Sequence, residues 1–193
     1  MAAQKKLIQG KLTQGKLRII GGRWRSRQLP VLNAEGLRPT TDRVRETLFN
    51  WLQMDIAGSR CLDLFAGSGA LGLEAASRGA NEVVMIENAP AVFKNLQQNV
   101  KTLEASEVSL MQCDALDFLQ HLESDNNFDI VFIDPPYQSG LLEPVINSLS
   151  LAAGNRVYLE ARKGDDISVP ENWLLLKDKT AGQIHYCLYE IEA

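Results

Sequence analysis

The chain has 193 residues, 45% hydrophobic and 23% charged, with a formal net charge of −4, enough for one α/β domain and a small appendage but not for two full domains. No stretch is long and apolar enough to span a bilayer, and the start lacks the apolar core of a secretory signal. Cys61, Cys113 and Cys187 are odd in number and scattered, which argues against a disulfide framework and structural zinc and for reduced cysteines in a cytoplasmic protein.

Residues 1–15 are polar and without periodicity, as expected of a flexible tail. Leu17–Ile20 and Gln28–Leu32 read as short strands around Gly21-Gly22, and 33–40 as a loop. Thr40 or Thr41 suits an N-cap, and Val44, Leu48, Trp51 and Leu52 share one face of a helix running to about Met54. The pattern then alternates. Strands are expected at Cys61–Phe65, Glu82–Glu87, Val108–Cys113, Phe128–Asp134 and Arg156–Glu160. Helices are expected at Ala70–Arg78, Pro90–Leu103, Ala115–Leu122 and Leu141–Leu151. Two β-rich runs, Trp173–Lys179 and Ile184–Ile191, close the chain. The reading is α/β: a mostly parallel, doubly wound, seven-stranded sheet with an antiparallel terminal hairpin.

Charge is distributed unevenly. Residues 1–45 carry eleven Lys and Arg against only Glu35 and Asp42, whereas the remainder carries nine basic and twenty-two acidic side chains. Such asymmetry suggests a basic arm for a polyanion on a body with another task. Lys5, Lys6 and Lys11 read as a solvated tail, whereas Arg23-Trp24-Arg25-Ser26-Arg27 interleaves arginine forks with an aromatic, a pairing suited to phosphates and base faces.

Gly67-Ser68-Gly69-Ala70-Leu71-Gly72 matches GxGxxG between a predicted strand and a predicted helix, and Glu87 ends the next strand where a carboxylate can accept from ribose hydroxyls. These features alone leave a nicotinamide dehydrogenase and an S-adenosylmethionine enzyme both open. Asp63 favours the second, because a carboxylate before the loop welcomes a cationic amino acid tail and repels a pyrophosphate. Asp114 closes the third strand, placed to take an adenine amino group, although Asp63 and Asp114 could simply cap the turns that follow them.

Phe128–Asp134 runs straight into Pro135-Pro136-Tyr137. An exocyclic amine on a base is a poor nucleophile until its N–H groups are held by acceptors. Asp134 supplies one acceptor, the Pro135 carbonyl a second in a backbone stiffened by consecutive prolines, and Tyr137 a face for an extruded base. Positioning is expected to outweigh proton abstraction, since an ordinary carboxylate is a weak base. A glycine loop at the first strand and acids closing the second, third and fourth make this a constellation. The chemistry leaves adenine-N6 methylation of nucleic acid open. Protein glutamine methylation would call for Asn in place of Asp134, and a non-catalytic RNA-binding module would not need the acids.

Arg18-Ile-Ile-Gly-Gly22, Leu37-Arg-Pro-Thr-Thr-Asp-Arg-Val-Arg-Glu-Thr-Leu-Phe-Asn50, Asp63-Leu-Phe-Ala-Gly-Ser-Gly-Ala-Leu-Gly72 and Asp134-Pro-Pro-Tyr137 carry a resemblance to the bacterial 16S ribosomal RNA guanine-N2 methyltransferase family designated D, from about residue 16 onward. The resemblance implies a class I, Rossmann-like methyltransferase with a small N-terminal hairpin and helix extension. It implies S-adenosylmethionine as cofactor, no metal, and guanine N2 in 16S rRNA of the small subunit as target. Residues 16–56 would form the RNA-binding extension and 57–193 the catalytic domain. A cytoplasmic monomer without membrane contact is expected, since no long exposed apolar stripe stands out. Asp63, Phe65, Ala66, Gly67, Gly69, Glu87, Asn88, Asp114, Ala115 and Thr41 would line the cofactor site, and Asp134, Pro135, Pro136 and Tyr137 the catalytic turn. Arg18, Arg23, Arg25, Arg27, Arg38 and Arg43 would contact RNA.

Overall fold

The computed structural model describes residues 12–34, 41–122, 127–136, 139–151 and 153–193. Strands β1 (Leu12–Arg18) and β2 (Gln28–Ala34) form an antiparallel hairpin, joined through a 3-10 turn at Gly22–Trp24. Helix α1 (Asp42–Trp51) follows. The body then alternates β3 (Arg60–Asp63), α2 (Gly72–Ser77), β4 (Glu82–Ile86), α3 (Pro90–Leu103), β5 (Val108–Met111), α4 (Ala115–Gln120), β6 (Ile130–Ile133), α5 (Leu142–Ser148), β7 (Arg156–Arg162), β8 (Trp173–Ala181) and β9 (Ile184–Ile191).

Seven strands order as β5-β4-β3-β6-β7-β9-β8, with β3 to β7 parallel and β9 antiparallel between β7 and β8. Chain order reverses between β3 and β6, and ligands of such sheets bind outside the carboxyl ends of the strands at that switch. β6, with sequence IVFI, is buried along its whole length because helices cover both faces of the sheet. One core joins the hairpin, α1, α2 and α3 to the first face; the other packs α4 and α5 against the second.

Local chemistry sets the helix ends. The Thr41 hydroxyl accepts from the Val44 amide and caps α1, whose Val44, Leu48 and Phe49 are buried. α3 opens on Pro90, buries Val92, Leu96, Asn99 and Leu103 at helical spacing, and stops at Glu104, whose φ of 54° is left-handed. Asn99 donates to the Pro30 carbonyl over 2.9 Å and Asn95 accepts from the Leu32 amide over 3.2 Å, fixing the hairpin to α3. No helix among the described residues is long and apolar enough to cross a membrane.

Several boundaries differ from the sequence expectation. β1 starts at Leu12, so residues 12–15, read as tail, pair with 31–34 of a β2 that itself extends to Ala34. A backbone ladder needs a partner strand rather than alternating hydrophobicity. α2 begins at Gly72 rather than Ala70, and α1 stops at Trp51.

Candidate active site

β3 ends at Asp63, whose side chain is buried; its Oδ2 accepts the Gly72 amide over 3.0 Å and Oδ1 has no well-formed partner. Burial pushes the Asp63 carboxyl up to about 7 against the opposing Gly72 and Phe65 amides, with the charge of Glu87 adding to the rise. A buried carboxylate with an oxygen to spare is the group a cationic amino acid tail would neutralise.

Beyond β3, Phe65 is half-buried and Ala66 buried, and the Ala66 amide donates to the Ile86 carbonyl at the end of β4. Glu87 sits there, half-buried. It accepts the Gly67 amide on Oε2 over 2.9 Å and the Ala89 amide on Oε1 over 2.7 Å, so it shapes the glycine loop as well as standing beside it. Burial raises its proton affinity despite those amides. Asn88 is exposed at the rim.

The glycines divide their work. A Cβ on Gly67 (φ +51°) would meet only the Phe65 carbonyl at 3.8 Å, leaving room for a ligand against the backbone. A Cβ on Gly69 (φ +82°) would strike Leu96 and Leu73 at 2.7 and 2.8 Å, so Gly69 serves turn geometry and helix packing. Asp114 caps α4, accepting the Leu116 amide over 2.8 Å, while Ala115 is buried in the second core. The capping alternative is thus realised at Asp114, and its half-buried side chain still stands at the carboxyl edge of β5.

Asp134 follows β6, half-buried, ahead of a buried Pro135 and an exposed Pro136. Phe132, two residues earlier, is the register partner of Asp63 on β3 and of Tyr158 on β7. Asp63 and Asp134 therefore bracket the switch point from neighbouring strands. Tyr137 and Arg38 lie outside the described residues.

The sequence reading missed Glu160. It is buried on β7, one residue past the Ile133–Leu159 pair, and accepts the Tyr158 hydroxyl over 2.9 Å. Burial, then the charges of Glu160 and Asp134, lift the Tyr158 phenol well above its ordinary value and keep it neutral. The signal that marked the other acids, a carboxylate closing a parallel strand, was present at Glu160 as well.

The basic arm is more docked than its composition suggested. Trp24 is buried in the core, so it offers no face to a base, a correction to the interleaved-aromatic reading. A large apolar ring gains more from burial than from exposure on a charged turn. Arg23 lies over the Trp24 ring at 4.1 Å and pairs with Glu107. Arg27 donates to the Thr102 carbonyl over 3.2 Å. Arg18 pairs with Asp42 over 2.7 Å. Burial works against the charge on Asp42, but Arg18 and Arg45 outweigh it and lower its pKa. Arg25 and Arg43 are exposed, and Arg25 precedes Ser26 in a left-handed conformation at φ 69°. Thr41 is committed to its cap.

Strand order, a glycine loop after the first parallel strand and an Asp-Pro-Pro turn after the fourth define a class I methyltransferase. The chain belongs to the family described as conserved hypothetical protein 95, which matches residues 17–190. It is 47% identical over 191 residues to the ribosomal RNA small subunit methyltransferase D of Haemophilus influenzae, covering 96% of this chain and 99% of that one. It is 50% identical over 184 residues to the protein of the same name in Escherichia coli K12, covering 93% and 92%. The solved structure of Escherichia coli yhhF, described as a methyltransferase, superposes with a TM-score of 0.83 at 49% identity, covering 93% of this chain and 99% of that one. The protein is accordingly an enzyme of methyl transfer.

Proposed function

We propose that this enzyme methylates the exocyclic N2 amine of a guanine in the 16S rRNA of the small ribosomal subunit, using S-adenosylmethionine. The observation that carries the reading is Asp134, placed at the carboxyl end of β6 two residues past the register partner of Asp63. On this reading a methyl-donor site and an amine-holding turn end neighbouring strands at the switch point. The 47–50% identity to small subunit rRNA methyltransferases supplies the substrate class.

The residues present fit the cofactor. Asp63 offers a buried oxygen to its ammonium, Glu87 a carboxylate to its ribose, and Gly67 the space for backbone approach. Asn88, Asp114 and Ala115 would border its base. Bound there, S-adenosylmethionine supplies a sulfonium-activated methyl group.

Asp134 accepts one N–H of the target amine, and the Pro135 carbonyl accepts the other. Held this way, the nitrogen directs its lone pair out of the ring plane, toward the methyl carbon. Transfer of the methyl from sulfur to nitrogen would leave a neutral thioether and a protonated amine, whose surplus proton Asp134 or solvent would take. Tyr137 would stack on the base. Neutral Tyr158 stays out of proton transfer and holds Glu160 in place. Exposed Arg25 and Arg43 are the readiest phosphate contacts, while Arg18, Arg23 and Arg27 would have to share or surrender their present partners.

The test is transfer of labelled methyl to small subunits from cells lacking this enzyme, followed by nucleoside analysis. Label in N2-methylguanosine, lost with Asp134→Ala, is expected. Label in N6-methyladenosine would keep the chemistry and overturn the substrate; no transfer to subunits, RNA or DNA would leave a binding role.

A further inference from the structure

Glu74 on α2 is fully buried, and its partners Ile20, Gly21, Arg45 and Arg78 are not among the residues expected to touch either substrate. Its Oε2 accepts the Ile20 amide over 2.8 Å, and its Oε1 accepts the Gly21 amide and Arg78 Nε, each over 2.7 Å. Arg45 Nη1 stands 3.7 Å from Oε2, while Arg45 Nη2 donates to the Arg18 carbonyl over 2.9 Å and to Asp42 over 2.6 Å. One turn along α2, the Ser77 hydroxyl donates to the Gly21 carbonyl over 2.6 Å and accepts the Trp24 amide over 3.0 Å. The joint is tight: a Cβ on Gly21 would fall 2.5 Å from the Arg78 guanidinium, and one on Gly22 would fall 1.8 Å from the Ser77 carbonyl oxygen.

The same short helix begins at Gly72, whose amide binds Asp63. α2 therefore touches the donor loop at its first residue and the basic arm along its length. We propose that Glu74 is a positioning residue for methyl transfer, locking the RNA-binding arm in register with the donor loop; this rests on the RNA methyltransferase reading above.

Burying a carboxylate is a poor route to stability, because desolvation offsets much of what its partners return. What it gives here is direction. Apolar packing is non-directional; Asn95 and Asn99 hold β2 to α3, and the charge-assisted bonds to two consecutive amides set where the turn after β1 sits on α2. Reaction needs the amine within roughly 3–3.5 Å of the methyl carbon, and an error of about 1 Å costs on the order of 100-fold in rate. An arm that grips RNA at the wrong offset would bind well and react slowly.

The experiment compares Glu74→Gln, and Ser77→Ala, with the unaltered protein. It measures kcat and KM on unmethylated small subunits, the affinity for S-adenosylhomocysteine, melting temperature, and hydrogen exchange at Ile20, Gly21 and Trp24. Glu74→Gln is expected to speed exchange at Ile20 and Gly21 and to lower kcat by about 10- to 100-fold, with KM and S-adenosylhomocysteine affinity within about 3-fold. Ser77→Ala, which leaves the buried charge alone, should speed exchange at Trp24 and lower kcat less. Unchanged kcat in either variant despite faster exchange overturns the proposal. So does a fall in kcat, donor affinity and melting temperature in step, which marks a merely structural residue. Should the unaltered protein methylate no RNA, the functional reading fails instead. The lock is then judged by exchange alone: lost protection with intact S-adenosylhomocysteine binding upholds it, and unchanged protection refutes it.

Discussion

The amide of Gly72 donates to Asp63 Oδ2 over 3.0 Å, so a carboxylate buried at the end of β3 holds the first residue of α2. Burial raises that carboxyl from 3.8 to about 7. The folded protein therefore binds more protons here than the unfolded chain between those values. The resulting stabilisation is complete below about 3.8 and is lost as pH rises through about 7. Asp63→Asn should flatten the decline of melting temperature between roughly pH 4 and pH 7. Affinity for S-adenosylhomocysteine, which needs the charged carboxylate, should run the other way, strengthening as pH rises through 7 in the unaltered protein and staying weak and flat in the variant. Thermal melts check the first and titration calorimetry the second; a pH-independent affinity in the unaltered protein removes Asp63 from the site.

On the proposed reading, Asp134 holds the target amine while Asp63 and Glu87 hold the donor. Asp134→Ala is expected to lower single-turnover methyl transfer by at least about 100-fold, with S-adenosylhomocysteine affinity unchanged. Asp134→Asn keeps one acceptor oxygen and should retain more activity than the alanine variant. Equal loss in both would make the negative charge, rather than hydrogen-bond placement, the essential property.

Gly22 and Gly58 share a left-handed φ, +72° and +80°, but differ in surroundings. A Cβ on Gly22 would overlap the Ser77 carbonyl, whereas none of the atoms around Gly58 comes within 4 Å. Gly58→Ala should cost about 1 kcal/mol from backbone strain alone. Gly22→Ala should cost about 3 kcal/mol or more, since backbone cannot step aside as a side chain can. Denaturant melts of the pair isolate the contact from the strain.

Exposed Arg25 and docked Arg23 should differ in their effect on RNA binding. Removing Arg25 is expected to flatten the log–log salt dependence by about 0.7 to 0.9, one phosphate contact. Removing Arg23 should change the slope less and melting temperature more, because it frees Glu107 and uncovers Trp24. Equal slope changes would mean that the Arg23–Glu107 pair opens on RNA.

The sequence by itself determined the strand–helix alternation, the terminal hairpin, a threonine cap at Thr40 or Thr41, the glycine loop and the Asp-Pro-Pro turn. Each is written in adjacent residues: a period of 2 or 3.6, a hydroxyl beside the amide it caps, a proline that fixes its own φ. It singled out Asp63, Glu87 and Asp134 as candidates for a related reason, since an acid closing a buried strand is a local pattern. Tertiary structure alone decided which charges are spent inside the molecule. Arg45 looked like one more basic residue of the arm, yet it is buried 3.7 Å from Glu74, 29 positions away. Arg23 meets Glu107 across 84 positions, and Trp24 leaves the surface because the hairpin folds onto α2 and α3. β1 gained its first five residues from a partner strand beyond the turn. A side chain's type states what bonds it can make; only the fold brings a distant partner within 3 Å and removes the water that would otherwise compete for it.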